Sequence, residues 1–279
     1  MRPLLELAVA LKKQARFNRL IKMSTERESP TNQVRGALRL APNVEELEEH
    51  KRKLPRQFVN FIFYQARPEW RMLEELDKAH CKERFVETVD DFRRDLLINT
   101  YSTVGWRANA DFMIWRIGHD LEPIQEMTSL LNGTPMAKYL EATASFLSMT
   151  KRSMYIEKGC SDHQEDRTHI IPGQSAYLFV CPLERTHDWY ARSHEQRQEM
   201  LDEHVRIESK YRSVKLHTTY SFGLDDQEFV VAFETDKPSD FLDMFQELRE
   251  TKASCFTLRN TPMFTCRRRS LVECLDALG

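Results

Sequence analysis

The chain has 279 residues, of which 41% are hydrophobic and 30% charged, with a formal net charge of −2. That length fits one large domain or two of roughly 100–150 residues. The near-neutral balance argues against nucleic-acid binding as a main role, and no apolar run approaches the ~20 residues that a membrane span needs.

The cysteines, Cys81, Cys160, Cys181, Cys255, Cys266 and Cys274, are scattered and form no Cys-x-x-Cys pair. This usage points to a reducing, cytoplasmic setting and against a disulfide framework or a structural zinc site. Residues 1–23 form a basic amphipathic segment, with Leu4, Leu7, Leu11, Phe17 and Ile21 against Lys12, Lys13, Arg16 and Arg19. Glu6 and the lack of a small-residue cleavage site favour a docking arm over an organelle presequence. Residues 24–56 are polar, hold Pro30, Pro42 and Pro55, and read as a linker or wrapping arm.

From Gln57 the pattern becomes regular. QFVNFIFYQ predicts a buried strand, and Pro68 opens a helix-period stretch to about Asp95 through Trp70, Leu73, Leu76, Phe85, Val89 and Phe92. Two strands follow, LLINTYSTVGW and ADFMIWRI. Asp120 is placed to cap a helix over LEPIQEMTSLLNGTPMAKYLE, and SFLSMTKRSMY closes the unit as a strand. The polar run Glu157–Gln174, with Gly159, Pro172 and Gly173, marks a boundary.

The same order then begins again. It runs through strand SAYLFVCPLER, a helix around His204, strands VKLHTTYSF and QEFVVAFETD, a helix from Ser239, and strand CFTLRNTPMFT. A repeated strand-helix-strand-strand-helix-strand unit predicts an α+β fold of two ferredoxin-like halves, 57–156 and 175–279 joined by 157–174. Their sheets close into a barrel.

On the His204 helix, Met200, His204, Ile207 and Tyr211 recur at helical spacing, placing the imidazole in an apolar stripe. Such a histidine either hydrogen-bonds within a core or ligates a metal. Strand alternation puts Val214, Leu216, Thr218, Tyr220 and Phe222 on one face, expected to point inward, and Lys215, His217, Thr219 and Ser221 on the other. Tyr177, Phe179, Cys181 and Leu183 share a face of the preceding strand. Such a surface beneath one inward histidine suits a flat apolar cofactor, and haem is the leading candidate.

Rival motifs fail. His194-Glu195 opens like a zincin signature, but position 198 is Gln. Glycine-rich nucleotide loops and a G-x-S-x-G elbow are also missing. Asp225-Asp226 reads as an ordinary hairpin turn, and Arg267-Arg268-Arg269 as a solvated strand end.

The phrases DWY, EQRQEMLDEH, SFGLDDQEFVVAFETD, LRETKAS and NTPMFT, spanning most of 175–266, resemble the chlorite dismutase family, which includes the coproheme decarboxylases. The resemblance implies two ferredoxin-like halves, often assembled as a homo-oligomeric ring of five. It also implies haem b or coproheme held in the second half, with His204 as metal ligand. Met200, Ile207, Leu216, Cys181 and Trp189 are the candidate cofactor neighbours. Three positions depart from the family. The distal Arg or Gln position is Leu216. The tyrosine of a Tyr-Pro-x-x-Lys/Arg segment is replaced in Cys181-Pro182-Leu183-Glu184-Arg185, and the glutamate beside the proximal histidine is replaced by Ala253.

The resemblance therefore implies a haem-binding oxidoreductase using peroxide, decarboxylase- or peroxidase-like but weakened, and unsuited to chlorite. Leu216, Cys181 and Arg185 are its pocket candidates. The alternatives are a non-catalytic haem carrier, sensor or interaction protein on the same fold, and a haem-free barrel in which His204 is only a core residue.

Overall fold

The computed structural model describes residues 55–153, 155 and 169–279. The basic segment 1–23, nearly all of the arm 24–56 and most of the 157–174 boundary lie outside the described residues.

Four strands, β1 (Phe58–Ala66), β2 (Leu97–Ser102), β3 (Phe112–Gly118) and β4 (Leu140–Met149), pair antiparallel in the order β4-β1-β3-β2. The second set is β5 (Tyr177–Arg185), β6 (Val214–Tyr220), β7 (Phe229–Thr235), the short β8 (Thr257–Arg259) and β9 (Phe264–Arg268), with β7 between β6 and β5, and β9 beyond β5. Two short seams join the sets, Met149 opposite Tyr220 and Tyr101 opposite Arg268. The sheet thereby closes on itself, with β8 left on the flank of β5. Closure removes the exposed edges that two separate four-stranded sheets would carry.

The strands are buried on both faces, which explains their near-continuous apolar runs. Val59, Phe61 and Phe63 of β1 meet Trp115, Phe146, Leu178, Val230 and Phe264 in the barrel interior. Ile62 and Tyr64, pointing the other way, pack beneath α1 (Glu75–Asp90) and α2 (Glu122–Asn132), with Phe85, Val89, Phe112 and Met127. In the second half, α4 (His194–Glu208), preceded by the short α3 (His187–Ala191), and α5 (Pro238–Arg249) cover the outer face.

The two halves are filled differently. Helix α1 buries Cys81, Phe85 and Val89, whereas α4 fully buries only Met200. Large side chains therefore close the space under the first helix, and space is left under the second.

Several expectations need correction. The helix expected from Pro68 to Asp95 is a 3-10 turn, Pro68–Met72, and then α1. Extended Leu73 and Glu74 separate them, and Trp70 is buried with its Nε1 donating to the Gly279 carbonyl at 2.8 Å. Asp120 does not cap α2. Leu121 holds that position, without a side-chain cap bond, and the helix stops at Asn132 before another 3-10 turn, Pro135–Tyr139.

The final predicted strand divides into a 3-10 turn, Lys252–Phe256, then β8 and β9. A last helix, α6 (Leu271–Asp276), was not foreseen. A Ser270–Glu273 capping box starts it, and it buries Leu271, Cys274 and Leu275 in the first half's core. Arg268 is not simply solvated, since its guanidinium donates to the Gly173 carbonyl and to Asn99 Oδ1. Asp225 exceeds a plain turn residue. Its Oδ2 accepts from Leu147 N at 2.7 Å and from Gln227 Nε2 at 2.9 Å, tying the β6–β7 hairpin to β4.

Candidate cofactor cavity

A cavity of about 420 Å³ lies between α4 and the outer face of the second half's sheet, within the range of small-molecule and cofactor sites. Strand register builds its floor in rows. Thr218, Val231 and Cys181 lie side by side across β6, β7 and β5, and Tyr220, Phe229 and Leu183 form the next row. Leu216 pairs with Phe233, and both line the cavity. The alternation read from VKLHTTYSF therefore holds, with Leu216, Thr218, Tyr220 and Phe222 all on the cavity side.

The opposite face is not a solvent face, however. His217, Thr219 and Ser221 are buried in the barrel, where the more polar set proves to be the more enclosed one. His217 Nε2 lies 2.6 Å from Glu234 Oε1, which also accepts from Gly173 N at 2.8 Å. Burial alone would raise the Glu234 carboxyl; the His217 and Gly173 bonds and the His217 and Lys215 charges outweigh it and lower it.

Helix α4 starts with a capping box. Ser193 Oγ accepts from Gln196 N, and the Gln196 side chain accepts from Ser193 N. Its cavity-facing stripe is Arg197, Leu201, His204 and Glu208, with Gln198 and Val205 beside it. His204 is the only histidine among the described lining residues, and its Nε2 lies 3.5 Å from Glu208 Oε1 one turn on.

This corrects the apolar stripe expected through His204. Met200 packs with Trp189 and Ala253, and Ile207 and Tyr211 pack against the Phe179–Phe241 core. Neither Met200 nor Ile207 lines the cavity. A helix face over a cavity need not be apolar, so apolar spacing selected the neighbouring stripe.

The remaining candidates do converge. Leu216, Cys181, Arg185 and Trp189 all line the cavity. Cys181 is buried, and burial pushes its thiol up to about 12, only partly offset by Arg249. Arg185 lies 4.8 Å over the Trp189 ring and donates to the Ala253 carbonyl at 2.7 Å and to Thr257 Oγ1 at 3.2 Å. Burial lowers its guanidinium from the usual range. Ala253 itself is fully buried and presents that carbonyl as its polar group.

Sequence reading missed the rest of the rim. Lys151, Arg197 and Arg249 join Arg185 as lining cations, against the single carboxylate Glu208 among the described lining residues. Arg249 bonds Asn260 Oδ1 at 3.1 Å, and Arg197 lies over the Tyr155 ring. These cations come from separated parts of the chain, so no local motif announces them. Arg197 alone carried a signal, one helical stripe from His204. An apolar, aromatic floor, one imidazole and a cationic rim fit an iron porphyrin bearing carboxylates. Such a group would find a nitrogen donor in the imidazole and opposite charges for its acid groups in the cations.

Fold and cavity together define an α+β barrel protein of two ferredoxin-like halves, with a cofactor-sized site in the second half. The chlorite dismutase family model matches residues 78–269, and the chain belongs to that family. Members of the family bind haem or coproheme. Among curated relatives, coproheme decarboxylase of Mycolicibacterium smegmatis is 29% identical over 64% of this chain and 75% of its own length. Chlorite dismutase of Ideonella dechloratans is 23% identical, over 74% and 73% respectively. A crystal structure of a mutant chlorite dismutase from Candidatus Nitrospira defluvii superposes with a TM-score of 0.72 at 22% identity, covering 80% of this chain and 95% of that one. Among the described residues, no helix is long and apolar enough to cross a membrane.

Proposed function

We propose that the cavity under α4 binds haem b or coproheme with His204 as the iron's protein ligand. The chain would then act as a peroxide-dependent oxidoreductase of the coproheme decarboxylase or peroxidase kind. The observation that carries this is the position of His204, which supplies the only imidazole among the described lining residues, above a floor of Leu216, Val231, Phe233 and Phe229.

A bound iron porphyrin would supply the redox chemistry with peroxide. The chain's residues set its conditions. Glu208 places a carboxylate oxygen 3.5 Å from His204 Nε2, and ligation of the iron would require that imidazole in its neutral form. Leu216, Val231 and Phe233 exclude water from the floor. The rim cations Lys151, Arg185, Arg197 and Arg249 attract porphyrin carboxylates.

Leu216 offers no charge or hydrogen-bond donor to an anion opposite His204, so charge developing there is unstabilised. This supports weak peroxidase activity and argues against chlorite as substrate. The buried, protonated Cys181 stands where the family's tyrosine would, and a thiol with little thiolate character is a poor replacement. These two positions favour, as second reading, a haem carrier or sensor that keeps the ligand without efficient turnover. Assembly as a homo-oligomeric ring belongs to the same proposal and is checked by light scattering.

Reconstitution with haem and with coproheme tests the binding. The wild type should give a sharp Soret band, and His204→Ala should lose it or shift it to that of loosely held haem. An unchanged spectrum in His204→Ala would reject the assignment. Peroxide titration of the coproheme complex, followed by mass spectrometry for loss of carboxyl groups, separates the enzyme from the carrier.

A further inference from the structure

Three tyrosines line the cavity: Tyr155, Tyr190 and Tyr220. Their surroundings differ in a way that matters for losing an electron. The Tyr155 ring lies 5.8 Å beneath the Arg197 guanidinium and is stacked on His194. The Tyr220 ring faces the Lys151 ammonium at 5.6 Å. A cation over a ring is attracted to its π electrons and makes their removal harder. Tyr190 is placed otherwise. Its hydroxyl donates to Glu228 Oε2 at 2.6 Å, within the range of a strong charge-assisted bond.

Glu228 is held for this contact. The same oxygen accepts from Arg185 N at 2.7 Å, and the Glu228 backbone carbonyl accepts from Ser221 N at 2.7 Å. The carboxylate is thus fixed between β5 and the β6–β7 hairpin. The nearby Arg185 side chain is turned onto Trp189, the Ala253 carbonyl and Thr257. Edge contact with Phe222, at 6.2 Å between ring centroids, packs the Tyr190 ring.

We propose that Tyr190 and Glu228 form a redox pair, in which Tyr190 is the one-electron donor of the cavity and Glu228 the base that receives its proton. The inference rests on iron-porphyrin binding in this cavity. A hydroperoxide is the oxidant: one molecule accepts two electrons and two protons and is reduced to water, or to water and an alcohol. Tyr190 supplies one of these electrons, the iron porphyrin the other, and solvent the two protons. As the phenol is oxidised, its O–H bond breaks and the proton passes to Glu228 Oε2, leaving a neutral phenoxyl radical beside a carboxylic acid. An external two-electron reductant such as ascorbate returns one electron to Tyr190 and one to the iron porphyrin and releases two protons to solvent, and Glu228 returns the phenol proton to Tyr190.

The test uses the full chain reconstituted with coproheme, mixed with hydrogen peroxide, freeze-quenched and read by electron paramagnetic resonance. A tyrosyl signal is expected, with the g-shift of a hydrogen-bonded phenoxyl, and Tyr190→Phe should abolish it. Glu228→Gln keeps the shape and removes the base, so formation should slow by about 100-fold, a contribution typical of a positioned base. The ligand-free protein gives a second readout. In a phenolate absorbance titration, Tyr190→Phe should remove one late-titrating phenol, and Glu228→Gln should move that phenol to lower pH. A normal Soret band with no tyrosyl signal, or with a signal that survives Tyr190→Phe, overturns the pair and leaves porphyrin binding standing. Wild-type kinetics in Glu228→Gln overturn the role of the carboxylate. Absence of any Soret band overturns the binding proposal, and the redox pair with it.

Discussion

The buried pair behind the cavity floor offers a test whose size follows from its geometry. Glu234 is 1% exposed and His217 7%, and the carboxylate holds both His217 Nε2 and Gly173 N. Glu234→Ala strands the buried His217 and takes the acceptor from the half-buried Gly173 N–H, and breaking a buried pair in this way costs about 3–5 kcal/mol. In a folded unit of this size each kcal/mol moves the melting point by roughly 2–4 °C, so Tm should fall by about 6–20 °C. Glu234→Gln keeps the shape and an acceptor, and should cost less.

The pH dependence has a definite sign. The folded carboxyl lies below its ordinary range, so its contribution is fully present above that range and is lost as pH falls through the lowered value. The gap between wild type and Glu234→Gln should therefore be widest near neutrality and close in acid. Scanning calorimetry across that window measures it. Because Leu216 and Phe233, the chain neighbours of His217 and Glu234, belong to the cavity floor, the Soret band of either variant should also broaden. A Glu234→Ala protein melting with the wild type, or a Gln gap that widens in acid, would refute the reasoning.

Other expectations concern the cavity directly. Leu216→Arg should add a cation to the floor and with it a fluoride-induced spectral change that wild type lacks; no change would place Leu216 away from the iron. Arg185→Gln should weaken porphyrin binding by about 1.5–3 kcal/mol, roughly 10–150-fold, the scale of one charge-assisted bond. Titration by fluorescence quenching reads it, and unaltered affinity would remove Arg185 from the carboxylate contacts. Cys181→Tyr should increase peroxide-dependent loss of coproheme carboxyl groups, measured by mass spectrometry. If wild type already decarboxylates efficiently and Cys181→Ala does likewise, the weakness assigned to this position is mistaken. Among the described cysteines, Cys255 is exposed whereas Cys181, Cys266 and Cys274 are buried with raised thiols. Among these described cysteines, a thiol reagent at pH 8 should therefore label Cys255 first.

Much of this architecture is local and therefore legible in the chain. Period-two and helical patterns revealed the repeated unit, because each strand and helix must bury one face whatever surrounds it. Alternation along VKLHTTYSF was enough to put Leu216, Thr218, Tyr220 and Phe222 on one side. Resemblance, not periodicity, selected His204 over an ordinary core histidine. What periodicity could not supply was the register of α4 over the sheet. Met200 and Ile207 are apolar because they pack against Trp189 and the Phe179–Phe241 core, while the stripe that includes His204 stays partly polar over the cavity. The elements ended elsewhere than expected at Pro68–Asp95 and around Asp120, where burial of Trp70 and a local 3-10 turn overrode simple helix signals.

Only tertiary structure brought together Lys151, Arg185, Arg197 and Arg249, or set Tyr190 against Glu228, since these contacts cross from one strand, helix or loop to another. It also decided that His217 and Glu234 lie inside the barrel. A strand by itself has two faces and cannot say which will be the more enclosed. Closure of the two sheets buried the polar face, and the sparse packing beneath α4 left the apolar one to line a cavity.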